Sequence, residues 1–128
     1  MFRLCFLSLL CLSLPVEAMS SEEALAQVKY FSLGYNGFAT KKSEGELLYQ
    51  QILSAKNNEE IFFKLIRSDK ATNEGKLYAA CGLWAVNNKQ LDKIIPAQGI
   101  VTLLQGDILR QEDFGEAFSR IKRTGCSQ

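Results

Sequence analysis

The sequence predicts a mainly α-helical fold, an irregular bundle of about five to six short antiparallel helices arranged as helical-hairpin pairs. Apolar residues recur at helical spacing in several segments, and short polar turns separate those segments. One nearly uncharged stretch, residues 75–86, is apolar over most of its helical circumference and holds the only tryptophan, Trp84. A helix of this kind belongs at the centre of a bundle, so we expect the other helices to pack around it.

The first eighteen residues have the pattern of a secretory signal peptide. Arg3 gives a short positive start, residues 4–14 are apolar apart from two serines, and a proline then precedes small residues of the kind a signal peptidase recognises. The apolar run is shorter than the roughly 20 residues that a membrane-spanning helix needs. An N-terminal anchor or a buried helix is the alternative. We expect removal of residues 1–18, which leaves residues 19–128 as a single helical domain.

Capping signals and apolar spacing predict the helices in order. A Ser-x-x-Glu capping box opens the first helix at Ser20, which continues to the first glycines, and a second box opens the next helix at Ser43. Apolar residues at i, i+1, i+4 and i+5 mark a third helix over residues 59–68. The central helix spans residues 74–86, and a short helix after it stops at Pro96.

The segment after this proline fits two structures. Residues 100–110 have β-branched and other apolar residues on both sides of a Gln-Gly-Asp sequence, which fits a small β-hairpin. Their doubled apolar pattern also fits two short buried helical turns. We favour the hairpin. From Glu112 onwards, apolar residues at i, i+3, i+4 and i+7 give the clearest amphipathic helix of the chain, with Gly125 as its stop.

Short polar turns between consecutive helices predict antiparallel neighbours, so that residues 43–95 form two helical hairpins in series. Each helix has an apolar face that has to be buried against the others. The predicted core comprises the residues on those faces: Leu25, Val28, Leu47, Leu48, Ile52, Leu53, Ile61, Phe62, Leu65, Ile66, Leu77, Ala80, Cys81, Trp84, Leu91, Ile94, Ile95, Phe114, Ala117, Phe118 and Ile121.

Composition limits the chemistry that the chain can perform. It is 47% hydrophobic and 23% charged with a formal charge of +1, and its basic residues are scattered, so nucleic-acid binding has little support. The chain has no histidine, which removes the commonest general base and the commonest zinc ligand. It also has no glycine-rich loop followed by Lys-Ser/Thr for phosphate binding. We expect neither a metal nor a cofactor.

Acidic residues occur in adjacent or nearly adjacent pairs. A glycosidase would need two such carboxylates facing each other across a cleft. Each pair lies in or just before the first turn of a predicted helix, where negative charge opposes the positive end of the helix dipole. This placement accounts for every pair without catalysis, and we predict that the protein is not an enzyme. The pairs are Glu22/Glu23, Glu44/Glu46, Glu59/Glu60 and Glu112/Asp113.

Two cysteines, Cys81 and Cys126, lie beyond the signal-like segment. In an exported protein such a pair predicts one disulfide, which would tie the C-terminal tail to the central helix. The alternative is that Cys81 is a small buried hydrophobe and Cys126 belongs to a frayed tail. The small number of cysteines and the lack of an Asn-x-Ser/Thr acceptor favour the bacterial periplasm over a eukaryotic cell surface.

A surface for binding a partner is predicted in residues 34–42, which have neither helical nor strand periodicity. Aromatic and cationic side chains lie together there, as they do at many protein interfaces. The alternative is that the aromatic residues fold down as a lid over the core. The turn at residues 105–107 is a second candidate. The candidate partner-binding residues are Tyr35, Asn36, Phe38, Lys41, Lys42, Gln105 and Asp107.

The pattern Gly75-Lys76-Leu77-Tyr78-Ala79-Ala80-Cys81-Gly82-Leu83, followed by a short polar turn and another helix, resembles a set of small exported bacterial proteins found beside toxin and microcin genes. The resemblance covers residues 43–108. Similar chains often have Gly-Cys-Ile near the end, where this chain has Gly106-Asp107-Ile108, so its disulfide must be arranged differently. The resemblance implies an immunity-type role, with no established activity and no catalytic residues.

These observations predict a small exported binding protein, an immunity or inhibitor protein that blocks a toxin or effector acting in the cell envelope. Inhibitors of nucleases tend to be acidic, so the near-neutral charge favours a cell-wall-active or membrane-active partner. The alternative is a constitutive accessory or structural protein of an envelope or secretion assembly. We expect a protein partner, no nucleic acid, and no stable membrane insertion after signal cleavage.

Overall fold

The computed structural model describes residues 19–36 and 41–126. The predicted signal peptide, residues 1–18, and Phe38 lie outside the described residues. Within that part the chain is mainly helical, with five α-helices, one 3₁₀ helix and two small antiparallel sheets of two strands each. The prediction of a mainly α-helical fold with a hairpin near residues 100–110 is therefore confirmed, with five as the number of α-helices.

The elements follow one another in an order close to that predicted. The favoured hairpin forms, and the alternative pair of helical turns does not. A second pair of very short strands lies within the stretch that was predicted to be irregular. The elements are α1 (Ser21–Leu25), β1 (Tyr35–Asn36), β2 (Lys41–Lys42), α2 (Glu44–Leu53), α3 (Asn58–Ile66), α4 (Asn73–Asn87), a 3₁₀ helix (Asn88–Lys93), β3 (Ile100–Gln105), β4 (Ile108–Asp113) and α5 (Phe114–Thr124).

Helix α4 lies at the centre and contacts α2, α3, α5, the 3₁₀ helix and β3. Thr72 caps its start by accepting a hydrogen bond from the N–H of Gly75 (3.0 Å). Its small residues allow close packing: a Cβ at Gly75 would overlap the carbonyl oxygen of Leu25, and one at Gly82 would overlap the ring of Phe62. The prediction of a central helix with neighbours packed around it is confirmed.

Helix α1 is shorter than predicted because its following carbonyls bind another element. The backbone N–H of Thr72 donates to the carbonyl of Ala26 (2.8 Å), and its hydroxyl donates to the carbonyl of Val28 (2.7 Å). Phe31 then forms a parallel β-bridge with Leu103. The chain after α1 is therefore held by the start of α4 and by β3, and it does not continue as a helix.

Helix α2 presents a different face to the core from the one predicted. Leu47 is 49% exposed, whereas Glu46 is only 1% exposed. Gly45 explains this orientation, since a Cβ there would overlap the ring of Tyr78, so that α2 rests directly on that ring. The capping residues of α2 therefore face inwards, and the prediction that Leu47 is a core residue is wrong.

Two other residues predicted to lie in the core are exposed. Ile95 is 91% exposed and Trp84 is 37% exposed. The 3₁₀ helix ends at Lys93 and the backbone of Ile94 is extended (φ −99°, ψ 130°), so that successive side chains point to opposite sides: Ile94 is buried and Ile95 points away. The ring of Trp84 covers Gly125 near the C-terminus, where an added Cβ would be 2.7 Å from the ring.

The hairpin and the last helix agree with the sequence prediction. β3 pairs with β4 from Ile100↔Asp113 to Gln105↔Ile108, and Gly106 in the turn has a φ of +61°. Helix α5 buries all four of its predicted apolar residues and ends at Gly125, which has a φ of +78°. One detail differs: Asp113 is the N-cap of α5, because its carboxylate accepts from the N–H of Glu116 (3.0 Å).

A disulfide joins Cys81 to Cys126, with their Cα atoms 5.6 Å apart. The predicted pairing is confirmed, and the alternative of a free buried thiol at Cys81 is wrong. The bond links α4 to the residue just beyond α5, in the region that Trp84 covers. The C-terminal tail is therefore attached to the centre of the molecule.

Candidate partner-binding site

The stretch predicted to contact a partner begins and ends as a two-stranded antiparallel ribbon, which we call the ribbon (residues 35–36 and 41–42). Tyr35 pairs with Lys42 and Asn36 pairs with Lys41. Strands of two residues give no detectable sequence period, which is why the pattern predicted irregular structure. The side chain of Lys41 is exposed. Phe38 lies outside the described residues.

The buried carboxylate of Glu46 links α2, which follows the ribbon, to the chain just before the ribbon. Glu46 accepts a hydrogen bond on Oε1 from the backbone N–H of Gly34 (2.7 Å). Ser43 caps α2 by accepting from the N–H of Glu46 (3.1 Å), and its hydroxyl donates to the carbonyl of Ser32 (3.0 Å). The second predicted capping box thus has its serine bond, while its glutamate carboxylate binds the chain just before the ribbon.

The buried or partly buried polar groups of Ser32, Ser43 and Glu46 lie beneath the ribbon, and we call them its buried base. Tyr78 connects this buried base to the central helix. Its hydroxyl donates to the carbonyl of Ser32 (2.8 Å), accepts from the N–H of the same residue (2.9 Å) and lies 3.1 Å from Oγ of Ser43. Its ring packs on that of Phe31, with the ring centroids 4.6 Å apart. Burial raises the pKa of the Tyr78 hydroxyl, and its hydrogen bonds with Ser43 and Ser32 oppose that rise. The hydroxyl therefore remains a protonated structural group.

A cavity of about 370 Å³ opens between the β3–β4 hairpin, residues 31–33 and the C-terminal end of α5. We call it the cleft. Apolar side chains from the central helix, the hairpin and α5 form part of its lining, and polar or charged side chains from the hairpin and α5 form the rest. Its lining residues include Leu77, Leu103, Gln105, Arg110, Arg120 and Ile121.

Strand direction relates the cleft to the ribbon. Phe31 donates to the carbonyl of Thr102 (2.9 Å) and accepts from the N–H of Leu104 (3.0 Å), in a parallel bridge. Chain segments in a parallel bridge run in the same direction, so residues 31–33 and β3 advance together. Leu33 lines the cleft with Gln105, two residues before the ribbon begins. Residues 31–34 lead into the ribbon, and we call them the approach to the ribbon. The structure thus brings Gln105, a predicted partner-binding residue, close to this approach.

An ion pair attaches the hairpin to α5 beside the cleft. Arg120 donates to both carboxylate oxygens of Glu112, at 2.6 and 3.0 Å. The hydrogen bonds from Arg120 hold the pKa of the Glu112 carboxyl below its usual range. Asp107, the other residue predicted in the turn, is exposed at the tip of the hairpin.

Acidic pairs largely have the predicted structural positions. Three of them lie in the first turns of α1, α2 and α3, whereas Glu112 lies on β4 and binds Arg120. Glu59 accepts hydrogen bonds from Gln90 (2.7 Å) and Asn87 (3.0 Å), which lower the pKa of its carboxyl. Among residues 19–36 and 41–126, no three cysteine or acidic side chains are grouped as metal ligands. The same residues include no helix with both the length and the apolarity to span a bilayer.

Three residues of this region were not predicted as site residues. Glu46 was assigned only to a helix cap, and Tyr78 only to the apolar surface of the central helix. Arg110 is the single cation among hairpin residues 100–113 and has no distinguishing pattern. A tyrosine in a helix that is otherwise buried was the one usable signal, since a buried hydroxyl needs a hydrogen-bond partner.

No protein-family model matches the chain, and searches among curated proteins and among solved structures found no match either. The ribbon, its buried base and the cleft therefore carry the functional argument. Their groups can donate hydrogen bonds, pair with charges and bury apolar surface, which are the interactions of a recognition site.

Proposed function

We propose that this chain is a small exported binding protein of the bacterial periplasm, an immunity or inhibitor protein that blocks a toxin or effector acting in the envelope. The observation that carries the proposal is the ribbon and the buried polar base beneath it. The base ties the residues on both sides of the ribbon to the central helix through Glu46 and Tyr78. The backbone of Ser32 and Gly34, held in this way, loses little conformational entropy on binding.

The disulfide supports the proposed compartment. Disulfides persist in oxidising environments such as the periplasm and are rare in the cytosol. The bond between Cys81 and Cys126 closes a long loop, and such a bond stabilises a fold by roughly 3–4 kcal/mol. The signal-like pattern of residues 1–18 favours the same compartment.

The chemistry of the described residues supports binding as the mode of action. The acidic pairs at helix starts oppose helix dipoles, and Glu112 is held by Arg120. The ribbon instead offers Lys41 to solvent, and the cleft beside its approach has an apolar floor. A surface that combines cationic and apolar groups is suited to covering the working surface of another protein.

Protection of cells tests the proposed function. Where a gene for a secreted toxin or effector lies beside the gene of this chain, that effector is expressed with export to the periplasm, alone or together with this protein. We expect coexpression of the exported protein to restore growth, and the Tyr35→Ala/Lys41→Ala variant to lose that protection with its thermal unfolding unchanged. Loss of two interface anchors commonly weakens a complex by more than about 2 kcal/mol, or roughly thirtyfold.

Lys56→Ala is the matched control, since Lys56 is an exposed lysine in the turn between α2 and α3, away from both ribbon and cleft. Full protection by this control is expected. A wild-type protein that reaches the periplasm and does not restore growth contradicts inhibition. Copurification with an envelope assembly in the absence of protection would favour the accessory role instead.

A further inference from the structure

The cleft has an apolar floor formed by Leu77, Leu103 and Ile121, from three different elements. All three side chains belong to the buried core, so that the deepest part of the cleft is continuous with it. Its volume of about 370 Å³ is near the lower end of the roughly 300–1,000 Å³ range of ligand pockets. A volume of this size suits a few side chains of a docked segment.

The cleft is also lined by a cationic side chain, Arg110, that forms no salt bridge among the described residues. Both carboxylate oxygens of Glu112 are occupied by Arg120. No carboxylate in residues 19–36 and 41–126 lies within salt-bridge distance of the Arg110 guanidinium. Glu116 acts on Arg120 and Arg110 acts on Glu112 through weaker charge interactions, but Arg110 has no salt-bridge partner among the described residues, so its electrostatic complement in a bound molecule is an anion.

We propose that the cleft binds a segment of the partner protein in which a carboxylate side chain adjoins a large apolar side chain. The guanidinium of Arg110 donates to the carboxylate, for which its planar arrangement of N–H groups is suited. The apolar side chain lies on the floor beside Leu103 and Ile121. The inference rests on the proposed function only in taking the bound molecule to be a protein.

A peptide titration tests this assignment. The probes are three capped tetrapeptides that share one phenylalanine and differ in the neighbouring residue, which is glutamate, glutamine or lysine. Amide chemical shifts of the isotopically labelled, purified protein report the binding. We expect the glutamate peptide to shift the amides of Leu103, Arg110 and Ile121. The glutamine peptide should bind about tenfold more weakly because it lacks the charge on the hydrogen-bond acceptor.

Two variants make the test specific. Arg110→Glu should reverse the preference, so that the lysine peptide binds more tightly than the glutamate peptide. Arg123→Glu makes the same charge change on the exposed surface of α5, outside the cleft, and should keep the wild-type order.

Equal affinity for the glutamate and glutamine peptides at millimolar concentration overturns the proposal. So does an equal effect of Arg123→Glu, or a set of shifts that lies outside the cleft. Shifts that follow protein concentration would instead indicate a second copy of this chain as the occupant, and they too overturn it. The growth assay with ribbon variants is independent of these results, so a failure here leaves the proposed function separately testable.

Discussion

At the scale of single residues, the ribbon depends on polar side chains that are buried among apolar ones. Glu46 and Tyr78 both lie inside the molecule, and each makes a hydrogen bond to the chain just before the ribbon. A buried donor or acceptor that loses its partner costs about 1–3 kcal/mol, so these groups fix the backbone of Ser32 and Gly34 in one arrangement. Sequence periodicity reports burial and not hydrogen-bond partners, and it therefore could not identify this base.

Replacing Tyr78 with phenylalanine removes the hydroxyl and leaves the ring. The buried N–H of Ser32 then loses an acceptor, and we expect the free energy of unfolding to fall by about 1–3 kcal/mol in urea titrations. Tyr49→Phe is the matched control. The ring of Tyr49 packs at a tilt against that of Tyr78, and its hydroxyl has no hydrogen bond in the described residues, so a change within about 0.5 kcal/mol is expected. Equal losses for the two variants would contradict the role of the hydroxyl.

At the scale of elements, sequence periodicity predicts which segments are helices better than it predicts how they are oriented. The apolar spacing of α3, α4 and α5 gave elements close to those observed. The rotation of α2 depends on contact between Gly45 and the ring of Tyr78, which is distant in sequence. The exposure of Ile95 follows from the extended backbone at Ile94, just beyond the 3₁₀ helix, and the early end of α1 follows from the hydrogen bonds that Thr72 makes to the carbonyls after it. Each of these differences arises from tertiary contact or local geometry beyond the apolar pattern.

The attachment of the hairpin to α5 gives a pH-dependent prediction. Arg120 lowers the pKa of Glu112 in the folded protein, so this pair stabilises the fold above the ordinary pKa of a glutamate. The contribution is lost as the pH falls through the lowered folded-state pKa. We expect Glu112→Gln to reduce the free energy of unfolding by about 1 kcal/mol at neutral pH, because a charge-assisted pair becomes a neutral hydrogen bond.

The measurement is denaturant unfolding of wild type and Glu112→Gln from neutral pH down to about pH 3, where the difference should shrink as the wild-type carboxyl is protonated. Asp107→Asn removes an exposed acid at the hairpin tip and serves as the control, with little change expected at any pH. A difference that stays constant across the titration would show that the charge of Glu112 does not stabilise the attachment.

At the scale of the whole molecule, the parallel bridge and the disulfide bring together parts of the chain that are far apart in sequence. The bridge between Phe31 and Leu103 places the approach to the ribbon beside the hairpin and the cleft. The disulfide holds Cys126 at the wall of the same cleft. Cysteine number predicted the disulfide, whereas the bridge has no signal in the sequence. The sequence therefore predicted the ribbon and the hairpin turn as two separate binding regions, and it did not predict that they lie close to each other.

We propose that the ribbon and the cleft together form the surface that binds the partner protein. Hydrogen exchange of the protein, alone and in complex with an effector against which it protects cells in the growth assay, tests this proposal. We predict slower exchange in the complex for the backbone amides of residues 31–36, 41–43 and 102–110, with α3 unchanged. Slower exchange confined to α2 and α3, with the ribbon and hairpin unchanged, would contradict it.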